Sequence, residues 1–329
     1  VGEKTVTLVT GANGFIGAWI VRVLVERGDR VRAFVRPNAD MRNLADVRAR
    51  IEIATGDILD PASIARALVD CRAVLHTAGS ILTHPRDNER AFQMHFTGAR
   101  NVFASAQHAG IERLVYTASI FTLGAGWQNQ PADEKHTKPF TPRNFRYADA
   151  KFLAQREAEK MCAAGLPLVF VYPTFCFGPG DLHLSSQSQL VAYWRGRLPG
   201  VTNAGINVID VRDAALGHVL ALERGRRGEK YLLAGTNIDL PTLFKRAGEI
   251  AGRARFLPVL PRRLMLPIGW LAEKILRRPP IDYATAQVAQ EFWYYRGDHA
   301  QRELGVTTRP LDETLRDAFA WFRAQKILN

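Results

Sequence analysis

Short, almost wholly apolar runs alternate with longer amphipathic ones through the first half of the chain. Thr5 to Thr10, Val31 to Arg36, Ile51 to Thr55, Ala73 to Thr77, Leu114 to Thr117 and Leu168 to Tyr172 are rich in β-branched residues and too short for helices. Such runs read as strands buried on both faces. Between them, Ile16 to Arg27, Pro61 to Val69, Glu89 to Ala109 and Tyr147 to Ala164 have helical patterns. Alternation of this kind requires right-handed crossovers, so the expected fold class is α/β, a doubly wound parallel sheet with helices on both faces.

After Pro173 the pattern loosens, with Gly178-Pro-Gly180, Leu198-Pro-Gly200 and a basic, proline-rich stretch from Arg253 to Pro280. Two strand-like runs, Asn207 to Val211 and Lys230 to Ala234, interrupt it. Both are expected to rejoin the main sheet, which makes residues 1–173 one unit and 174–329 a smaller lobe interleaved with it through the segments near 207–235. No internal repeat or low-complexity tract is visible.

Composition narrows the class. A chain of 329 residues that is 47% hydrophobic can bury a large core. No apolar run approaches the roughly 18 residues that cross a bilayer, and no basic leader opens the chain, so a soluble, cytoplasmic protein is expected. Cys71, Cys162 and Cys176 form no disulfide framework, and the eight histidines show no ligand spacing, so no metal is expected. The net charge of +12 invites a nucleic-acid reading. Yet the arginines are scattered through helices without the aromatic-glycine pattern of single-strand binders, so solvated helix faces and an anionic ligand account for it better.

The chemistry gathers in two places. Gly11, Gly14 and Gly17, in Thr10-Gly-Ala-Asn-Gly-Phe-Ile-Gly17, follow the first strand directly and open a helix. That context lets the backbone, including Asn13, Phe15 and Ile16, approach a pyrophosphate at a helix N-terminus, which implies a dinucleotide-binding site. Ala33-Phe-Val-Arg36 ends the second strand without the carboxylate that would hold an adenine ribose hydroxyl. Arg36 suits a 2′-phosphate, so NADP is expected, with NAD the alternative. Asp57 and Ile58 are placed for the adenine edge, and Ala78 and Gly79 are small enough to pass under the cofactor ribose.

Ser119 closes the fifth strand at the carboxyl end of the sheet, where doubly wound folds bind ligands. Tyr147 and Lys151 stand four residues apart on the helix that follows, hence on one face. A lysine ammonium there is expected to pull the phenol from its usual pKa of about 10 towards neutrality. Tyr147 then serves as general acid, Ser119 holds a substrate oxygen and Lys151 bonds the nicotinamide ribose. Taken alone, Tyr147 would read as a half-buried helix-start aromatic and Lys151 as a surface cation. Cys176 has no evident activating partner and reads as a buried thiol.

With these residues in view, the chain resembles the extended short-chain dehydrogenase/reductase family over nearly its whole length. Gly56-Asp57, Tyr172-Pro-Thr-Phe-Cys-Phe-Gly-Pro-Gly-Asp181 and Asp210-Val-Arg-Asp213 join the motifs above in the family order. The tail, with Arg302-Glu-Leu-Gly305 and Asp317-Ala-Phe-Ala-Trp321, is similar to members related to dihydroflavonol reductase, 3β-hydroxysteroid dehydrogenase and the hopanoid-associated sugar epimerase. The resemblance implies a Rossmann domain with a small substrate lobe, Ser-Tyr-Lys chemistry and Pro173 at the cofactor. It also implies a homodimer through the helices Glu89 to Ala109 and Tyr147 to Ala164. Two departures concern the site: His95, in His95-Phe-Thr-Gly-Ala99, stands where the family has asparagine, and Gly79 where alanine is common.

Family epimerases commonly carry an arginine shortly before the segment matching Asn207 to Asp213, and Val201-Thr-Asn-Ala-Gly-Ile206 has none. Ile120, Phe121, Thr122, Thr174, Phe175 and Phe177 make the expected pocket mostly apolar. A hydride transfer to or from an apolar small molecule is therefore expected, with sugar-nucleotide epimerisation as the alternative, since Arg195 and Arg197 could reach a diphosphate. A cofactor-binding scaffold without turnover is a third reading. Arg262 to Arg278 sets apolar residues between paired arginines, as an interfacial helix would. Packing over the second lobe is the expectation there, and membrane contact the alternative.

Overall fold

The computed structural model describes residues 5–81, 85–140, 142, 145–276, 279 and 281–328. The nucleotide half runs β1 (Val6–Thr10), α1 (Phe15–Glu26), β2 (Arg30–Val35), β3 (Glu52–Thr55), α2 (Pro61–Ala67), β4 (Cys71–His76), α3 (Asn88–Phe92), α4 (Gly98–His108), β5 (Arg113–Thr117), α5 (Arg146–Ala163) and β6 (Leu168–Pro173). Then come β7 (Phe175–Phe177), α6 (Ser188–Trp194), β8 (Gly205–Asp210), α7 (Val211–Arg224), β9 (Lys230–Leu233), β10 (Thr236–Asp239), α8 (Leu240–Ile250), α9 (Arg262–Ile275), α10 (Tyr283–Val288), β11 (Phe292–Trp293), α11 (Asp298–Leu304) and α12 (Leu311–Ala324).

Among the described residues the main sheet holds seven strands in the order β3-β2-β1-β4-β5-β6-β9, every pair parallel. Such strands must be apolar on both faces, and β1 and β6 are buried throughout. One face packs against α2, α4 and α5. The other packs against α1, α7 and α11. The strand order reverses between β1 and β4, which opens a crevice at their carboxyl ends.

The second lobe has its own core, in which α6, α8 and α12 pack around Trp194, Phe244 and Phe322. Its small sheet places β8 between antiparallel β10 and parallel β11, with β7 also paired to β8. This corrects one expectation. Lys230 to Leu233 does rejoin the main sheet beside β6, but Gly205 to Asp210 stays in the lobe. The reason is local: the β8 backbone is already paired with β10, β11 and β7, and Asn207 Oδ1 accepts from Thr174 Oγ1 at 2.8 Å and the Gly235 amide at 2.7 Å, which fastens the small sheet to the ends of β6 and β9.

Helix starts follow sequence chemistry. Asp60, Asp210, Asp239 and Asp282 each accept a hydrogen bond from an amide of the first turn of α2, α7, α8 and α10. The helix expected from Glu89 to Ala109 is interrupted. A π-helical turn, Gln93–Thr97, separates α3 from α4, the kind of insertion that re-aims a side chain at a functional site.

Candidate active site

The glycine-rich turn is built for close approach. Gly11 lies at φ +68°, and a Cβ on it would come within 2.7 Å of the Ala78 Cα. Its carbonyl accepts the Gly14 amide at 2.9 Å. Gly14 caps α1 with no side-chain hydrogen bond, so the first amides of that helix face the crevice without a side-chain acceptor. Asn13 gives its side-chain amide to Asp40 O at 3.1 Å and takes Asn43 Nδ2 on its own carbonyl at 3.2 Å, which fastens the turn to the loop after β2. Phe15 and Ile16 are half-buried, Gly17 is buried, and Arg36 is exposed at the end of β2. Asp57 accepts the Leu59 amide at 2.9 Å, Ile58 is buried against Gly98, and Pro173 is buried at the end of β6.

The structure brings Ser119, Tyr147 and Lys151 together, all buried. The Tyr147 hydroxyl meets that of Ser119, which favours the phenolate, but burial outweighs this and holds the phenol above its ordinary range. Lys151 Nζ donates to Thr117 O at 2.9 Å and lies 5.2 Å from the centre of the Tyr116 ring. Burial pushes the amine down to about 7. The expected acidification of Tyr147 by Lys151 is therefore not present here. Lys151 Nζ is turned onto a strand carbonyl, and desolvation of the phenol decides the sign.

His95, delivered by the π-helical turn, sets its ring edge-on against Tyr147, with centroids 4.7 Å apart at 89°. Its Nε2 bonds Ser80 O at 2.9 Å, while Nδ1 is buried without a partner. Burial first, and the Lys151 charge second, push this imidazole down to about 3. A Cβ at Gly79 would collide with His95 Cε1 and stand 3.0 Å from Nδ1. The two departures from the usual pattern thus explain each other: the larger ring at 95 occupies the space that a methyl at 79 would need.

An aromatic wall encloses the phenol. Phe121 lies 5.9 Å from Tyr147 and 5.0 Å from Trp293, and Phe145 stacks on Tyr147 at 5.4 Å. Phe140 closes on Trp293 at 4.9 Å, and Phe175 reaches Trp293 at 6.4 Å. Phe140, Phe145 and Trp293 have no motif to announce them, since they come from irregular segments and a two-residue strand far apart in the chain. Of the other residues expected in the pocket, Ile120 packs in the same cluster. Thr122 Oγ1 is engaged by Ser119 O and Gln155, and Thr174 Oγ1 by Asn207 and Leu233 O. Phe177 packs into the core of the second lobe. Arg195 donates to Ile327 O. The Cys176 thiol is buried and pushed up by desolvation. Among the described residues, no cluster of histidine, cysteine, aspartate and glutamate could hold a metal.

The model of the NAD dependent epimerase/dehydratase family matches residues 7–234, from β1 through β9. The chain belongs to that family. Within the epimerase/dehydratase family it is 33% identical to a Synechocystis sp. protein provisionally named dihydroflavonol 4-reductase, over 96% of this chain and 94% of that one. It is 29% identical to sterol demethylase protein B of Methylococcus capsulatus, over 98% and 99% of the two chains. Among solved structures, a nucleoside-diphosphate-sugar epimerase from Pseudomonas aeruginosa superposes with a TM-score of 0.82 at 26% identity, over 99% of each chain. The protein is accordingly an NAD(P)-dependent enzyme of the epimerase/dehydratase family. Its uncapped α1, positive-φ Gly11 and small Ala78 fit a dinucleotide in the crevice between β1 and β4.

Proposed function

We propose that this protein is an NADP-dependent reductase or dehydrogenase acting on a carbonyl or hydroxyl of a largely apolar small molecule. The observation that carries the reading is the packing of Phe121 and Phe145 against Tyr147 of the Ser119–Tyr147 pair, with Trp293 behind Phe121. Aromatic walls of this kind favour a hydrophobic substrate over a charged nucleotide sugar. The bound dinucleotide would supply or accept a hydride at its nicotinamide. Tyr147 Oη delivers the proton to the substrate oxygen, and Ser119 Oγ holds that oxygen in place. Lys151, which donates to Thr117 O, would bond the nicotinamide ribose, and Gly11, Asn13, Gly14, Phe15, Ile16, Gly17, Asp57, Ile58, Ala78, Gly79 and Pro173 would border the dinucleotide. The exposed Arg36 supports NADP, because a guanidinium can fork onto a 2′-phosphate.

The likeness to reductase-named and sterol-named relatives over nearly the full chain supports the same choice. Epimerisation of a sugar nucleotide is the second reading, favoured by the epimerase superposition. The two differ in whether the reduced cofactor is consumed. Incubation with NADPH and a panel of apolar ketones should give net loss of reduced-nicotinamide absorbance. Absence of that loss for every ketone, together with turnover of a nucleotide sugar, would overturn the proposal. Pairing through α4 and α5 into a homodimer and residence in the cytoplasm complete the reading, and three free, buried cysteines suit a reducing compartment.

A further inference from the structure

A helix on a globular surface ordinarily hides its apolar stripe and shows water its polar one. α9 does not. Its inward contacts are made by Met265 and Gly269, with Leu266 half-buried against the core of the second lobe, and Gly269 packs so close to α10 that a Cβ there would stand 2.8 Å from Ala286 Cβ. Leu264, Ile268, Leu271 and Ile275 follow one another at spacings of four, three and four, so they form a single stripe. That stripe faces outward, with exposures of 45%, 36%, 51% and 69%, and Trp270 beside it is 55% exposed. The segment leading into the helix adds Phe256, at 91%. Packing over the second lobe, the simpler expectation from sequence, therefore does not account for these residues.

Charge says what could cover them. Arg262 and Arg263 open the helix and Lys274 sits in its last turn. Arg255, next to Phe256, lines with Arg195, Arg197, Arg253 and Lys326 a cavity of about 330 Å³ that has no carboxylate in its lining. Glu273 of the last turn is held on the Tyr283 amide at 3.1 Å, which leaves Lys274 as the exposed charge there, so a second copy would bring cations to the same places whichever way two α9 helices were laid together. An anionic lipid surface offers acyl chains to the stripe and phosphates to the cations. With 14 residues, α9 is too short to cross a bilayer core of about 30 Å and would lie in its plane.

We infer that α9 and the segment before it dock this protein on an anionic lipid surface. The test is flotation of the whole chain, with NADPH present, on phosphatidylcholine vesicles with and without phosphatidylserine. It needs no turnover, so failure of the proposed reductase activity would leave it intact. The wild type should float with the anionic vesicles. Trp270→Ala combined with Leu271→Ser and Ile275→Ser, and separately Arg263→Glu with Lys274→Glu, should each weaken partitioning by more than about tenfold. Unchanged thermal melting and unchanged cofactor fluorescence would show that the variants fold. Failure of the wild type to float, or flotation that ignores both sets of substitutions, overturns the inference. So does a dimer in light scattering that the stripe substitutions abolish, because the face would then belong to a second copy.

Discussion

Gly79→Ala tests whether the site was fitted around the His95 ring. The added methyl would stand 3.0 Å from His95 Nδ1 and closer still to Cε1. Apolar heavy atoms pack at about 3.5 to 4.0 Å, so the ring must retreat by about 1 Å. It has little room to do so. One edge is tied to Ser80 O at 2.9 Å, and the ring meets Tyr147 at 4.7 Å between centroids. Overpacking of this kind costs about 1–3 kcal/mol. His95→Asn removes the ring, and against that background the same methyl should be nearly free, which gives a coupling of about 1–2 kcal/mol between the two positions. Urea unfolding of the wild type, both single variants and the double variant measures it. If Gly79→Ala costs the same with histidine and with asparagine at 95, the ring is not what the glycine accommodates and the reasoning is refuted.

Tyr147→Phe should lower kcat by about 10²- to 10⁴-fold while leaving dinucleotide affinity within a few-fold, since only the transferable proton is lost. An unaltered kcat would remove Tyr147 from the chemistry and favour the scaffold reading. Arg36→Asp should shift the NADP to NAD preference by about tenfold or more, read as the ratio of Kd values, because it replaces the fork for a 2′-phosphate with a repelling carboxylate. Buried His76 and His95 are pushed down to about 3 and His218 to about 4, all from an ordinary 6.5. The unfolded chain then binds more protons than the folded one below that ordinary value, so stability is lost as pH falls from about 6 to 4. Three such groups alone set a limiting slope of about 4 kcal/mol per pH unit, partly offset by Glu134, Asp181 and Asp213, whose carboxyls burial raises. Urea midpoints that stay flat across this window would contradict the burial of these imidazoles.

Much of the architecture was legible because it rests on local pattern. All six apolar runs in the first half became strands, five of them largely buried with no polar alternation and β3 half-buried at the sheet edge. The glycine turn and the Tyr147/Lys151 spacing are likewise short-range signals, and the structure places both at the carboxyl end of one sheet. What the sequence hid is non-local. β8 stays in the lobe because β7, β10 and β11 pair with it, strands of two to four residues too short to show a periodic signature. The π-helical turn at Gln93–Thr97 leaves the helical pattern of Glu89 to Ala109 nearly intact, so the break is invisible until Gly79 and Ile58 are seen beside it. The direction of the Tyr147 shift depended on where the amine points, and spacing on a helix fixes a face but not a hydrogen-bond partner.

Because β9 closes the main sheet beside β6 after the chain has already built β7 and β8 in the lobe, the polypeptide is laced through both halves rather than strung from one to the other. A fragment ending at Pro173 would present β6 as a raw edge of unpaired amides and carbonyls flanked by hydrophobic side chains, open to any passing strand. The two halves must therefore be made, folded and inherited as one piece.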